Sequence, residues 1–477
     1  MIRSLLALTF LTVLSAQARP QSGSAAASLL GQPSFTSGLE FNPPTSRSFY
    51  GPNGLAIDPT TGKLFVSDER NHRILRFSST AAYQTYAEAE AVFGQSDFTG
   101  NEANRGAGAS ALTLNRPAHL CFDGEGNLWV ADAFNARVLR YDAASSKPQF
   151  GAAADAVIGQ PDFATTTPAA NSTSDSGFIR PVGVAVDSAD NLYVLENGGA
   201  PRILRFANAQ TASNDVAYAS YLGEINGSNQ FISGTTANGF STTPYGLFVD
   251  DQDRLWVADA SNHRVLRFDT PTVTGSAANA VFGQANFTSN AQPSPPTAAS
   301  LFIPFHMCVD PEGTLWVSDT GNNRILGFLD VDTKTNGANA DIVLGQANFV
   351  TGTGQPYSAR AIGGPRQIVI GQEGSLFVGE DSVTARVQRW SDPVTITAPT
   401  KVTARGTKAL IKGTASGAVG VSHQVTGQGG FKPVVGGPTN WQVTVKRLKK
   451  PTTAVRVQAR AFDGRTATAV VKVKKPK

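Results

Sequence analysis

The feature that most constrains this chain is an internal repeat. The segment Pro-x-(Gly/His/Gln)-apolar recurs at intervals of 65, 64, 63, 60 and 61 residues, at Pro52, Pro117, Pro181, Pro244, Pro304 and Pro365. Each copy continues with a turn (centred on Asp in five copies and on Gly371 in the sixth), a strand such as LWVAD, and an Arg that opens a strand such as RVLRY. A fourth apolar segment mostly ends in Gly-Gln. Four short strands per repeat, separated by turn residues, predict the blade of a β-propeller.

The pattern Pro-x-Gly…Val-Ala-Asp-x-x-Asn-x-Arg-Ile-x-Arg-Phe resembles the NHL repeat family of β-propellers, over residues from about Leu29 to Trp390. The resemblance implies an all-β, six-bladed propeller, which we assign to residues 28–392. The sixth copy lacks a Gly-Gln segment after it, whereas Leu29-Leu30-Gly31-Gln32 precedes the first Pro-x-Gly. We therefore expect the N-terminal strand to complete the last blade and close the ring, which removes exposed sheet edges.

The six repeats also show a second, longer period of three repeats. Repeats one and four share Asn-His-Arg, repeats two and five share His-x-Cys, and repeats three and six carry Glu in place of Asp. A three-blade unit duplicated once accounts for this pattern, although convergence is the alternative. In a six-bladed ring, paired blades then face each other across the central channel.

An acidic residue and an Arg recur at the ends of the second and third strands. Because the pair is present in every blade, we interpret it as a structural element held by charge-assisted hydrogen bonds rather than as a ligand site. The pairs are Asp68/Arg73, Asp132/Arg137, Glu196/Arg202, Asp259/Arg264, Asp319/Arg324 and Glu380/Arg386.

His119 and His306 break the repeat, because the other copies have Gly or, at Gln367, Gln at this position. The position begins the innermost strand, so we predict a binding site at the channel mouth formed by His119, His306 and Gln367, with His72 and His263 in loops on the same face. Two imidazoles from opposite blades are able to share a metal or an anionic ligand. Some six-bladed relatives hold a metal there, but zinc usually takes three or four protein ligands. We therefore expect a ligand-touching or water-lined pair and no cofactor.

The two cysteines, Cys121 and Cys308, fall on opposing inner strands in this arrangement. A disulfide needs Cα atoms within about 7 Å. We expect free, buried thiols that act as small hydrophobic residues.

The N-terminus has the pattern of a secretory signal peptide over residues 1–18. Arg3 precedes an apolar run from Leu5 to Leu14, and Ala16-Gln17-Ala18 supplies small residues for cleavage. We expect a protein that is secreted, periplasmic or on the cell surface, with no transmembrane span.

The C-terminal segment, residues 394–477, has alternating strands such as AVRVQARAF and resembles bacterial Ig-like domains, which implies a small β-sandwich. It holds 16 Lys and Arg against one acidic residue, Asp463. The modest net charge of +4 for the chain therefore hides an acidic repeat region and a strongly basic tail. Such a basic surface suits an anionic envelope polymer, and it lacks the features of a sequence-reading nucleic-acid binder.

These observations favour a secreted binding protein without catalytic activity, in which the loop face and the channel mouth bind a protein, peptide or glycan. No nucleophile elbow, HExxH motif, P-loop or dinucleotide fingerprint is present in the sequence. Two alternatives remain open. One is a channel-mouth lyase or lactonase with a metal near His119 and His306, and the other is an extracellular spacer.

Overall fold

The computed structural model describes residues 19–39, 41–79, 81–169, 177–198, 201–211, 214, 216–371, 374–381, 385–391, 395–397, 401–403, 409–416, 420–425, 428–433, 435–436, 440–445, 452–460 and 466–474. The predicted signal peptide, residues 1–18, lies outside the described residues. The chain divides into two compact units, of which one is Arg19–Asp392 and the other contains Pro393–Lys477.

The described part of the first unit holds six four-stranded antiparallel sheets. β1 (Ser28–Leu30) comes first in the chain and belongs to the last sheet. Sheet 1 contains β2 (Pro52–Ile57), β3 (Leu64–Asp68), β4 (Arg73–Phe77) and β5 (Ala91–Phe93). Sheet 2 contains β6 (Pro117–Phe122), β7 (Leu128–Asp132), β8 (Arg137–Tyr141) and β9 (Ala156–Ile158). Sheet 3 contains β10 (Pro181–Val186), β11 (Leu192–Glu196), β12 (Arg202–Phe206) and β13 (Ser220–Leu222).

A two-stranded hairpin of β14 (Glu224–Ile225) and β15 (Phe231–Ile232) follows sheet 3. Sheet 4 contains β16 (Leu247–Val249), β17 (Leu255–Asp259), β18 (Arg264–Phe268) and β19 (Ala280–Phe282). Sheet 5 contains β20 (Pro304–Val309), β21 (Leu315–Asp319), β22 (Arg324–Phe328) and β23 (Ile342–Leu344). Sheet 6 contains β24 (Pro365–Ile370), β25 (Leu376–Glu380), β26 (Arg386–Trp390) and β1.

The sheets are arranged around a closed ring, as in a propeller. The first strand of each sheet contacts the first strand of the next, and β24 of sheet 6 contacts β2 of sheet 1. The predicted pairing of the N-terminal strand with the last sheet is present, because Ser28, Leu29 and Leu30 pair with Arg389, Gln388 and Val387. The prediction of an all-β, propeller-type fold is therefore confirmed.

The second strand of each sheet is buried along its whole length because neighbouring sheets cover both of its faces. This explains the uninterrupted apolar character of LWVAD and its equivalents. In sheets 2, 4 and 5 the Trp of this strand donates its indole N–H to the Asp of the preceding turn, at 3.1, 2.8 and 2.9 Å. The turn and the strand that follows it are thereby joined by one buried hydrogen bond.

The helices within the described ranges are short and of the 3-10 type. They are Glu69–Asn71, Ala81–Tyr83, Ala103–Gly106, Ala133–Asn135, Ala144–Ser146, Ala209–Thr211, Ala260–Asn262, Thr320–Asn322 and Val331–Thr333. Four of them join the second and third strands and end on a residue with left-handed backbone, namely His72, Ala136, His263 and Asn323. No helix in these ranges is long and apolar enough to cross a membrane.

The second unit forms two sheets within its described residues. Its strands are β27 (Thr395–Thr397), β28 (Lys401–Thr403), β29 (Ala409–Ser416), β30 (Gly420–Val425), β31 (Gln428–Pro433), β32 (Val435–Gly436), β33 (Asn440–Val445), β34 (Thr452–Arg460) and β35 (Thr466–Lys474). Their order is β27-β29-β33-β32 in one sheet and β28-β35-β34-β30-β31 in the other. Along β35, Val471 and Val473 are buried while Lys472 and Lys474 are exposed. The alternation therefore places basic side chains on the outer face.

Candidate functional site

The six recurring acid–arginine pairs lie inside the ring and not in an open site. In each pair the Arg Nε donates to the carboxylate, and both side chains have no exposed surface. The N–O distances are 2.8 Å in Asp68/Arg73, 2.8 Å in Asp132/Arg137, 2.5 Å in Glu196/Arg202, 2.7 Å in Asp259/Arg264, 2.6 Å in Asp319/Arg324 and 3.1 Å in Glu380/Arg386.

Each of these arginines also holds the long loops of its sheet. Arg137 donates from Nη2 to the carbonyls of Ser110 and Thr113, at 3.0 and 2.9 Å, and from Nη1 to the carbonyl of Phe163. The carboxylate of Asp132 accepts the backbone N–H of Asn115 at 2.7 Å. A buried charge needs such full compensation. The pair therefore organises the loops of the sheet.

The Gly-Gln segments act in the same way. Gln160 donates from Nε2 to the carbonyl of Ala136 at 2.9 Å and to that of Thr167 at 2.8 Å. Gln284 and Gln346 make the equivalent pairs of bonds in sheets 4 and 5. Their amides therefore join the strand-connecting turn to the loop that leaves the sheet.

His72 and His263 occupy the left-handed position at the ends of two strand-connecting turns. The Nδ1 atom of His72 accepts the backbone N–H of Arg116 at 3.1 Å. The Nδ1 atom of His263 lies 3.1 Å from the carbonyl oxygen of Ala260 and 3.3 Å from the backbone nitrogen of Ile303. Burial is the main cause that lowers the pKa of both imidazoles. Each ring joins its turn to the next sheet, and neither lines the channel cavity described below.

His119 of sheet 2 and His306 of sheet 5 meet in the channel, where their ring centroids are 4.9 Å apart. Only 3% and 2% of these residues are exposed. Gly246 makes room for His306, since a Cβ atom at Gly246 would lie 2.9 Å from the His306 Cδ2 atom. The structure thus brings together the two histidines that interrupt the repeat.

Both imidazoles are held in the neutral form. The Nδ1 of His119 accepts the N–H of Val184 at 3.3 Å, and that of His306 accepts the N–H of Ile368 at 3.4 Å. The Nε2 of His306 lies 3.2 Å from the carbonyl of Leu247, to which it donates. Burial lowers the pKa of His306 to about 3, and burial together with His306 lowers the pKa of His119 well below 6.5.

Gln367 of sheet 6 is hydrogen-bonded to sheets 1 and 2. Its Oε1 accepts the N–H of Leu55 at 2.8 Å, and its Nε2 donates to the carbonyl of Leu120 at 3.0 Å. Gln367 and His306 therefore connect inner strands, and only His119 of the three predicted inner residues lines the cavity above them.

A cavity of about 190 Å³ lies at the mouth of the channel, and we call it the mouth cavity. Every repeat contributes the residue that follows its Pro, so that six equivalent residues surround the cavity. These residues are Asn53, Ala118, Val182, Tyr245, Phe305 and Arg366. The site is therefore assembled from the whole ring and not from one loop.

Charged side chains surround the mouth cavity. Asp381 accepts hydrogen bonds from Arg70 at 3.1 Å and from Arg366 at 2.7 Å. Glu69 accepts from the Asn53 amide at 2.9 Å and lies 3.8 Å from Arg116. Burial raises the pKa of Glu69, and the charge of Arg116 partly opposes this shift. A further arginine, Arg180, completes the lining.

Aromatic rings form the remaining wall of the mouth cavity. The rings of Tyr245 and Phe305 are stacked, with centroids 4.6 Å apart and an interplanar angle of 18°. The guanidinium of Arg366 lies 4.5 Å from the centroid of Phe305. The cavity thus offers a flat apolar surface beside its charges.

Four polar atoms around the mouth cavity are buried without a hydrogen-bond partner among the described residues. They are His119 Nε2, Asn53 Oδ1, Arg366 Nε and Asp381 Oδ1. Leaving a buried polar atom unpaired costs free energy, so such atoms are uncommon in native proteins. Their convergence on one cavity marks it as the candidate site.

The charged and aromatic residues of this cavity were not among the predicted site residues. The available signal was the residue after each repeat's Pro, which varies between copies although the Pro before it and the apolar character of the residue two positions after it are constant. Repeat position alone, however, does not reveal that Arg116 and Arg180, each directly before that Pro, point to the same space.

Cys121 and Cys308 are both free, as predicted. Cys308 is buried and Cys121 is half-buried, and burial raises the pKa of each thiol well above its ordinary value. Among the described residues, no group of three or more His, Cys, Asp or Glu side chains is arranged to hold a metal ion.

Comparison with known proteins adds a family relationship. The family model of the Teneurin NHL domain matches residues 34–328. Teneurin-1 of Homo sapiens is 23% identical over 307 residues, which cover 60% of this chain and 11% of that protein. Teneurin-3 of Mus musculus is 25% identical over 290 residues, which cover 57% and 10%. The chain therefore matches only about a tenth of the length of these curated relatives.

Two solved structures show similar backbones at low similarity. An auxiliary nutrient binding protein from Bacteroides thetaiotaomicron has a TM-score of 0.48 and 13% identity, with 78% of each chain covered. A streptogramin B lyase has a TM-score of 0.40 and 12% identity, with 74% of this chain and 97% of that chain covered.

Proposed function

The chain belongs to the Teneurin NHL domain family, and we propose that it is a binding protein rather than an enzyme. In this proposal a six-bladed propeller binds a protein, peptide or glycan at its channel mouth and surrounding loop face. The observation that carries the proposal is the mouth cavity, because all six described sheets contribute to its lining.

The state of the histidines supports binding over the lyase or lactonase alternative. Three of the four ring nitrogens of His119 and His306 already form hydrogen bonds with backbone groups. Both rings are neutral, and only the Nε2 of His119 is left to meet a ligand. Two histidines that are already hydrogen-bonded to the backbone suit the floor of a binding cavity. The proposal includes no metal.

The second unit has a separate role in this proposal. An Ig-like sandwich with basic strands would attach the protein to an anionic envelope polymer outside the cytoplasm, in the periplasm, at the cell surface or in the medium. The exposed Arg456, Lys472 and Lys474 on its described strands support such a surface. Clustered positive charge attracts polyanions through a long-range field.

The test is binding of the full chain to peptide and glycan arrays. We expect ligands retained by the wild-type protein to bind at least about tenfold more weakly to Tyr245→Ala and to Arg366→Gln, each of which changes one wall of the mouth cavity. Phe150→Ala is the control, because Phe150 is an exposed aromatic residue that does not line the cavity.

Equal weakening in the control variant would place the binding surface elsewhere. Absence of any array ligand for the wild-type protein would favour the spacer interpretation. Melting temperatures of all variants, measured in parallel, separate loss of the site from loss of the fold.

A further inference from the structure

We propose that the mouth cavity is a carboxylate site, which binds a monoanionic carboxylate carried by an apolar or aromatic group. This inference rests on the proposed function and specifies the chemistry of its ligand. Arg116, Arg180 and the Nε2–H of His119 are the groups that would hold the carboxylate.

His119 supplies a buried donor. Its Nδ1 accepts the N–H of Val184, so in the neutral ring the proton is on Nε2. This Nε2 is buried without a hydrogen-bond partner among the described residues, in a side chain that lines the mouth cavity. An acceptor that enters the cavity would satisfy this donor, and a carboxylate oxygen is a strong acceptor.

The positive charge of the mouth cavity is unevenly compensated. Arg70 and Arg366 share the carboxylate of Asp381. In contrast, Arg116 approaches Glu69 only to 3.8 Å, and Arg180 forms no ion pair with any described acidic residue. The uncompensated charge is therefore concentrated at Arg116 and Arg180, in sheets 2 and 3.

These two arginines are also held in place. Both guanidinium groups lie 5.0 Å from the centroid of the same ring, that of Phe134. Stacking on an aromatic face limits the freedom of an arginine side chain without using its hydrogen-bond donors. Two preorganised guanidinium groups are thus available to bind a planar carboxylate through paired hydrogen bonds.

The other residues of the mouth cavity select against more highly charged ligands. Glu69 and Asp381 lie in the same lining and would repel a dianionic phosphate or a polyanion more strongly than a single carboxylate. A volume of about 190 Å³ also admits only a small group. The stacked Tyr245 and Phe305 offer a flat surface for the apolar part of the ligand.

Two kinds of ligand carry such a carboxylate, namely the C-terminus of a peptide and a free aromatic acid. Calorimetric titration of the full chain distinguishes these ligands. The compounds titrated are N-acetyl-phenylalanine, its amide, phenyl phosphate, and a short peptide ending in Phe with its C-terminus either free or amidated. We expect the free carboxylates to bind and both amides to fail. Tighter binding of the free-ended peptide than of N-acetyl-phenylalanine would identify a peptide C-terminus.

The variants are Arg116→Gln, Arg180→Gln and the double variant, with Arg47→Gln as the matched control. Arg47 is similarly exposed and lies 5.2 Å from the ring centroid of Tyr86, but it is outside the mouth cavity. Loss of one charge-assisted hydrogen bond predicts about tenfold weaker binding in each single variant. Arg47→Gln should bind like the wild-type protein.

The carboxylate proposal is overturned if the amides bind as tightly as the acids, if phenyl phosphate binds most tightly, or if the double variant keeps wild-type affinity. It is also overturned if no carboxylate binds to a folded wild-type protein. In that case array ligands lost in Tyr245→Ala would still support the proposed binding function, so that failure of one proposal is distinguishable from failure of the other.

Discussion

Arg137 shows how one side chain stabilises a sheet and its loops. Its Nε donates to Asp132, and its terminal nitrogens donate to backbone carbonyls from two loops. A guanidinium has five N–H donors in a rigid fork, a geometry that a lysine ammonium lacks. The requirement for this fork explains why all six copies of the repeat use Arg.

Replacing one partner of such a pair should be strongly destabilising. Arg137→Met leaves the Asp132 carboxylate buried without its cation, and removal of one partner of a buried pair typically costs about 3–5 kcal/mol. In Arg47→Met the lost pair with Glu88 is exposed, and its loss should cost at most about 1 kcal/mol. Urea unfolding of both variants measures the two free energies, and equal losses would contradict the structural role.

β1 is the element that closes the ring. It supplies the fourth strand of sheet 6 although it lies more than 350 residues from β26 in the chain. Leu29 and Leu30 are each 1% exposed. A three-stranded sheet 6 would leave the edge of β26 unpaired.

Weakening β1 should therefore destabilise the propeller. Leu29→Ala removes a buried leucine side chain, a change that costs about 2–5 kcal/mol in protein cores. Deletion of Leu29–Gln32 should lower the melting temperature further. Leu39→Ala is the control, because Leu39 is 51% exposed and its substitution should change stability by about 0.5 kcal/mol or less. An unchanged melting temperature after the deletion would show that β1 is dispensable.

At the scale of the whole molecule, the contact between His119 and His306 joins opposite sheets across the channel. The pKa of His306 falls from 6.5 to about 3 on burial, and that of His119 also lies well below 6.5. Below about pH 6.5 the unfolded chain therefore binds protons that the folded ring excludes. The folded state should lose stability as the pH decreases from about 6.5 toward about 3.

This pH dependence is testable with His306→Gln, which keeps a side-chain donor near Leu247 but does not titrate. Each excluded proton contributes up to about 1.4 kcal/mol per pH unit within this window. The free energy of unfolding, measured by denaturant titration between about pH 7.5 and about pH 4.5, should depend less steeply on pH in the variant. Identical slopes in the two proteins would contradict protonation of His306 as a cause.

The repeated elements can be read directly along the chain. Strand order within each repeat, the recurring acid–arginine pairs and the closing role of Leu29 and Leu30 are local or periodic features, and periodicity is visible along a chain. The break at His119 and His306 was visible for the same reason. Whether the two rings meet or stand apart depends on the width of the channel, which a one-dimensional pattern does not contain.

The mouth cavity, in contrast, exists only in the folded ring. Arg116 and Arg180 each stand directly before the Pro of their repeat, and Glu69 and Asp381 each directly follow the acidic residue of a buried pair. The period along the chain does not show that these two positions face one space. They come together because ring closure places the starts of six inner strands around one axis. Their charges then combine through space, at distances set by the packing of the sheets.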